Sequence, residues 1–150
     1  MSGRIFNLMI ASDDTSILPY VYVWLVFLQF GLDHIQAGLF VKNGFSWGTL
    51  IRFLNMLHTK VSISFETSRF PMGNVHPLPE DWLLNGLQWM IGYFPDGWFQ
   101  SQAAQSDAKF IERPSHVFSR MERILWLAYM IAEVSCSNKE KKRKEILTAQ

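Results

Sequence analysis

The sequence holds a single cysteine, Cys136. No intramolecular disulfide can form, and the lone thiol reads as a small packing side chain near a helix end. Charge is also scarce. Charged residues make up 18% of the chain, against about 25% in an ordinary soluble domain. The formal net charge is only +1, so no global field draws in nucleic acid. Between Arg69 and Lys109 there is no lysine or arginine at all. The four histidines, His34, His58, His76 and His116, have no metal-ligand spacing to one another or to Cys136, and read as surface or capping groups. A glycine-rich phosphate loop and a nucleophile elbow are both missing. No repeat of fixed period marks a solenoid. With no catalytic constellation visible, the chain reads as a non-enzyme needing no cofactor and no metal.

Long hydrophobic runs are few as well. The start, MSGRIFNLMIASDD, has too short an apolar stretch for a secretory signal. Residues 15–32 carry no charge and approach the ~17–20 residues that span a bilayer. Ser16 and Pro19 break the beginning of that run, Gln29 interrupts it, and Asp33 and His34 follow at once. No basic cluster flanks it to set an orientation. It reads as a buried core helix, and a membrane association is not expected.

What is present in quantity is aromatic. Phe, Trp and Tyr make up 15% of the 150 residues. One domain is the default at this length, and the chain is long enough to bury a core. The apolar periodicity is helical, so the predicted fold is all-α, an irregular array of about four main helices. Residues 1–16 form a leader, 17–137 the helical domain and 138–150 a basic tail. The first helix is predicted over 18–37, apolar nearly all round from Tyr20 to Phe30 and so covered on most sides. The second is predicted over 46–60 with Ser46 as N-cap. Trp47, Leu50, Ile51, Leu54 and Leu57 form its apolar stripe. The Asn43-Gly44 turn between them makes the pair a helical hairpin. Residues 61–75 read as a loop, in which the alternating stretch 61–65 allows a brief strand.

The densest stretch is HPLPEDWLLNGLQWMIGYFPDGWF, residues 76–99. It predicts one helix over 80–94 with a forced start and a forced stop. Pro77 and Pro79 hold the preceding residues extended, and Pro79 fits the first helical position. Glu80 and Asp81 then sit in the first turn, facing free amides and the positive end of the dipole. Leu83, Leu87, Met90, Ile91 and Phe94 define the apolar face. Pro95, Asp96 and Gly97 end the helix, and Trp98 and Phe99 are expected to tuck back onto the core.

A last helix is predicted over 115–135, with Ser115 as N-cap after Pro114. Phe118, Met121, Ile124, Leu125, Ala128, Tyr129 and Ile131 are its apolar face. Arg120 and Arg123 share a side as i, i+3 neighbours. Glu80 and Asp81 therefore have two structural readings, capping of their own helix or ion pairing with Arg120 or Arg123 across two helices. The aromatic set Trp89, Tyr93, Phe94, Trp98 and Phe99 has the composition of a base-stacking platform. Such platforms need cations beside the rings to hold phosphates, and the gap between Arg69 and Lys109 favours core instead. The better electrostatic candidate for RNA or single-stranded DNA is the tail, Lys139, Lys141, Lys142, Arg143 and Lys144, read against a solvated helix end or a nuclear-import signal.

Two blocks carry a family resemblance. Pro77, Leu78, Pro79, Glu80, Asp81, Trp82, Gly86, Trp89, Tyr93, Phe94, Pro95, Trp98 and Phe99 form the first. Arg120, Arg123, Leu125, Trp126, Leu127, Ile131 and Ala132 form the second, at about the expected distance. In order and spacing they resemble the DNA/RNA-binding-domain segment of the telomerase-regulator (ever-shorter-telomeres) and SMG nonsense-mediated-decay family, fungal type. The resemblance implies a helical-hairpin region following a tetratricopeptide-like domain. It implies a scaffold in telomere maintenance or mRNA surveillance, located in nucleus or cytoplasm, with protein partners. The family's 14-3-3-like array and PIN-type nuclease have no counterpart in this chain, so phosphopeptide binding and RNA cleavage carry over to no residue here. Residues 127–130 depart from the small or basic residues of the pattern. The alternative reading is a truncated interaction or remnant domain that binds no nucleic acid.

Overall fold

A computed structural model describes residues 15–31, 47–61, 69–72, 76–100 and 110–148, with side chains described as far as Glu133. Among the described residues the fold is all-α, with no strand. Four α-helices occur: α1 (Leu18–Val26), α2 (Trp47–Lys60), α3 (Pro79–Leu84) and α4 (Pro114–Thr148). The brief strand allowed over 61–65 lies outside the described residues apart from Val61, as do the Ser46 cap and the leader before Thr15. Thr15–Ile17 is already a 3-10 turn leading into α1.

Helix α1 buries Leu18, Val21, Tyr22, Leu25 and Val26. The spacing i, i+3, i+4, i+7, i+8 gives a broad apolar stripe, and the helix packs chiefly along α4. It widens into a π turn at Phe27–Gly31. From that turn Phe27 meets Trp89 edge-on at 5.9 Å, and Phe30 meets Tyr93 at 4.9 Å. Helix α2 turns a slightly different face inward than its apolar stripe predicts. Leu50, Phe53 and Leu57 are buried, while Trp47 and Ile51 are exposed. The i, i+3, i+7 set that enters the core is therefore centred on Phe53.

The helix predicted over 80–94 does not form. α3 stops at Leu84, and Asn85 leaves helical geometry with ψ 129°. Gly86 follows with φ +90° and Gly92 with φ +82°. Asn-Gly is strong turn chemistry, and the left-handed region is open to glycine without a Cβ penalty. A single 3-10 turn, Gln88–Met90, stands between the two glycines. The predicted apolar face is consequently split. Met90 is buried, but Leu83 is 71% and Ile91 84% exposed, and Leu87 is exposed too.

Helix α4 is longer than predicted. It starts at Pro114 instead of after a Ser115 cap, and it continues past residue 135 to Thr148, spanning 35 residues. At 1.5 Å per residue that is about 52 Å. The stretch read as a separate basic tail is thus backbone-continuous with the helix. Ile124, Leu125, Trp126 and Leu127 form its buried centre, whereas Phe118 and Tyr129, expected on the apolar face, are exposed. No helix among the described residues is long and apolar enough to cross a membrane.

Candidate functional site

The most unusual side chains in the core are charged. Asp81, Arg120 and Arg123 are as buried as the leucines around them. Burying an ion costs several kcal/mol, on the order of what a whole domain has to spare, unless partners replace its water. Asp81 therefore needs partners, and the fold supplies four. Pro79 starts α3 with Leu78 extended before it, which places Asp81 in the third helical position. From there its Oδ2 accepts the Leu78 N–H at 2.9 Å, the returning half of a capping box. The same oxygen accepts Trp98 Nε1–H at 3.2 Å and Arg123 Nη1 at 2.5 Å. Oδ1 accepts the Tyr22 hydroxyl at 2.8 Å.

Tyr22 has one phenolic proton, and it goes to Asp81. The Tyr22 oxygen is then the acceptor for Tyr93 OH at 3.0 Å and for Arg123 Nη1 at 3.3 Å. α1, α3, α4 and the glycine-punctuated segment after α3 thus meet at one carboxylate. Burial pushes both phenols above their ordinary range, so both stay protonated as donors. For Arg123 burial opposes the charge, but the oxygens of Tyr22, Asp81 and Tyr93 outweigh it and hold the group above its usual range.

Rings close the cluster. The Arg123 guanidinium lies 5.0 Å from the Phe70 centroid and 4.9 Å from that of Trp98. Phe70 meets Tyr93, Phe94, Trp98 and Trp126 edge-on. Of the aromatic set weighed as a base-stacking platform, Tyr93 and Trp98 are buried. Phe99 packs edge-on against Trp82 at 4.8 Å and Phe94 at 4.9 Å.

One turn earlier on α4, Arg120 forms a second, outer cluster. Its two terminal nitrogens grip Glu112 as a fork, at 2.9 Å each. Nη2 also reaches Glu80 Oε1 at 2.9 Å. The fork lowers the Glu112 carboxyl below its ordinary range. Beside it, His116 Nδ1 accepts the Arg113 N–H at 3.2 Å. His116 thereby caps α4 from its third position, a role more often taken by glutamate.

The interhelical ion pairs form at both positions, with Asp81 on Arg123 and Glu80 on Arg120. The other motif residues divide by burial. Tyr93, Trp98 and Trp126 are core, while Trp82, Trp89, Phe94, Pro95 and Phe99 are half-buried. Gly86 stands open at the turn. Lys139, Lys141, Lys142, Arg143 and Lys144 lie on the backbone of α4. His116 takes one of the two roles read for the histidines, capping, while Tyr22, Phe70, Glu112 and the link from His116 to Glu112 escaped sequence reasoning. Tyr22 was one apolar ring among many, and its cue was a polar tip within an otherwise uncharged run. Phe70 sat in a loop beside Pro71. His116 and Glu112 straddle Pro114 at i, i+4, the one available cue.

Two surface clefts are lined by described residues. One of about 450 Å³ runs along residues 85–100, with Asp96 its only ionisable lining residue. The other, about 240 Å³, lies between α2 and α4 and is lined by Ile51, Leu54, His58, Leu125 and Tyr129. No metal-competent group of His, Cys, Asp or Glu occurs among the described residues. Compared with family models, curated proteins and solved structures, the chain matches none.

Proposed function

We propose that this chain is a non-enzymatic helical scaffold of the telomerase-regulator/SMG kind, acting in telomere maintenance or mRNA surveillance in the nucleus or cytoplasm. One observation carries the reading. The two sequence blocks behind the resemblance, 42 positions apart at Asp81 and Arg123, join in a buried ion pair. Asp81 and Arg123 have almost no exposed surface. A carboxylate with four partners and no solvent access holds helices together and has no room for a substrate. Function then falls to the surface.

Two surfaces compete for it. The cations at 139, 141, 142, 143 and 144 continue the backbone of α4. At 100° per residue these positions pass round the helix axis and share no single face. That arrangement supports loose phosphate attraction over sequence readout. The second reading, a protein-interaction domain without nucleic-acid affinity, is favoured by Leu83, Leu87 and Ile91, which stand exposed on a segment free of lysine and arginine.

Fluorescence anisotropy separates the two. The full chain is titrated with single-stranded RNA and DNA at low and moderate salt, beside a variant with those five cations changed to glutamine. Keeping the chain length matters, because truncation would cut α4. Binding that falls steeply with salt and is lost in the variant upholds the nucleic-acid scaffold. A folded chain that binds neither polymer removes that role and leaves the protein-interaction reading.

A further inference from the structure

The outer cluster holds one histidine. His116 is buried, and its Nδ1 is an acceptor, taking the N–H of Arg113 at 3.2 Å. An acceptor nitrogen carries no proton, so the ring is the neutral Nε2–H tautomer. The same Nδ1 lies 3.7 Å from Glu112 Oε2, an oxygen already bonded to Arg120 Nη2 at 2.9 Å. Arg120 in turn holds Glu80 of α3. A histidine, a helix cap and an interhelical ion pair are therefore linked in series.

We propose that His116 is a proton-operated release for the start of α4: protonating Nδ1 breaks the Arg113 cap and draws Glu112 away from the fork of Arg120, the same side chain that holds Glu80 of α3. The step is a plain protonation. Nδ1 gains H⁺, becomes a donor and can no longer accept the Arg113 amide. The new N–H points at the nearest anion, Glu112.

Every charged group facing His116 has a stated sign. Glu112 favours the imidazolium. Arg113 and Arg120 oppose it, and Glu80 acts only through Arg120. The positive end of the α4 dipole opposes it too. Burial is the largest influence and also disfavours the charged ring, so the group sits below its ordinary range. The unfolded chain then binds the proton more readily than the folded one. The stability carried by neutral His116 is complete above the ordinary histidine value, about pH 6.5, and is lost as pH falls below it.

The test compares the full chain with H116N. The carboxamide oxygen introduced by that substitution can take the place of Nδ1 and does not titrate. Thermal unfolding is followed from pH 7.5 to pH 5. The wild type is expected to lose about 3 °C or more beyond the loss in H116N. The other three histidines are common to both proteins, so whatever they contribute cancels in the difference. Equal losses in the two proteins overturn the proposal. If H116N does not fold, NMR of the wild type decides. The Arg113 amide shift is expected to titrate with the His116 ring, and an Arg113 amide unmoved while the ring protonates overturns the proposal.

Discussion

Arg120 and Arg123 are three residues apart on one helix, both buried, both paired to α3, yet they belong to different kinds of region. Arg123 faces a carboxylate that is itself fully buried, whereas the two partners of Arg120 are 12% and 52% exposed. The inner cluster is dry and bounded by rings. The outer one opens to water through Glu112. The same ion-pair chemistry carries different stakes in the two places. An unpaired charge in the inner cluster has no water to turn to, while one at the rim is rehydrated.

The largest expected effect follows from breaking the inner region. Asp81→Ala strands the Arg123 charge and is expected to cost about 3–5 kcal/mol, read by urea unfolding. Any ligand binding by the fraction still folded is expected to survive. Unchanged stability with lost binding would reverse the structural assignment of Asp81. The double variant Asp81→Leu/Arg123→Met is expected to recover much of that loss, because no buried charge remains.

Phe70→Ala comes next, at about 3 kcal/mol. It removes the ring that touches four aromatic side chains and covers Arg123. If it costs no more than a surface change, the inner cluster is not sealed by rings and the contrast with the rim weakens. Gly86→Ala is expected to cost about 1 kcal/mol. A Cβ there meets no atom within 4 Å, so the loss is backbone strain alone.

The rim defines the small end. Glu112→Gln is expected to cost under about 1 kcal/mol and Glu80→Gln more, since Glu80 is the less hydrated partner. A thermal melt that ranks them the other way would place the main hold of Arg120 on the segment just before its own helix instead of between helices. Ile91→Ser, at an exposed position, is expected to stay within about 0.5 kcal/mol of wild type.

Much of this was legible in residue types. Proline before two acids predicts a helix start, and two arginines at i, i+3 on an apolar helix predict partners, because an apolar face cannot bury them bare. The central helix failed at a local signal that was also in the sequence. Asn85-Gly86 is a turn dipeptide inside a stretch whose apolar spacing still matched a helix. Apolar spacing ranks residues by water aversion, and Leu83 and Ile91 fit it while remaining exposed. On α2 the inward face shifted to Phe53 for a related reason. A ring of that size settles where the core leaves room, which periodicity alone does not encode.

By itself, then, the sequence determined that the chain is helical and that Pro79 starts a helix, and it narrowed Glu80 and Asp81 to capping or to pairing with Arg120 or Arg123. These follow from local sterics and from the pull of a helix start on carboxylates. Only the tertiary structure decided which oxygen meets which nitrogen, that Tyr22 and Trp98 complete the shell of Asp81, and that one arginine is sealed while its neighbour opens to water. Those outcomes depend on contacts between residues up to 101 positions apart, whose geometry exists only after the helices have packed.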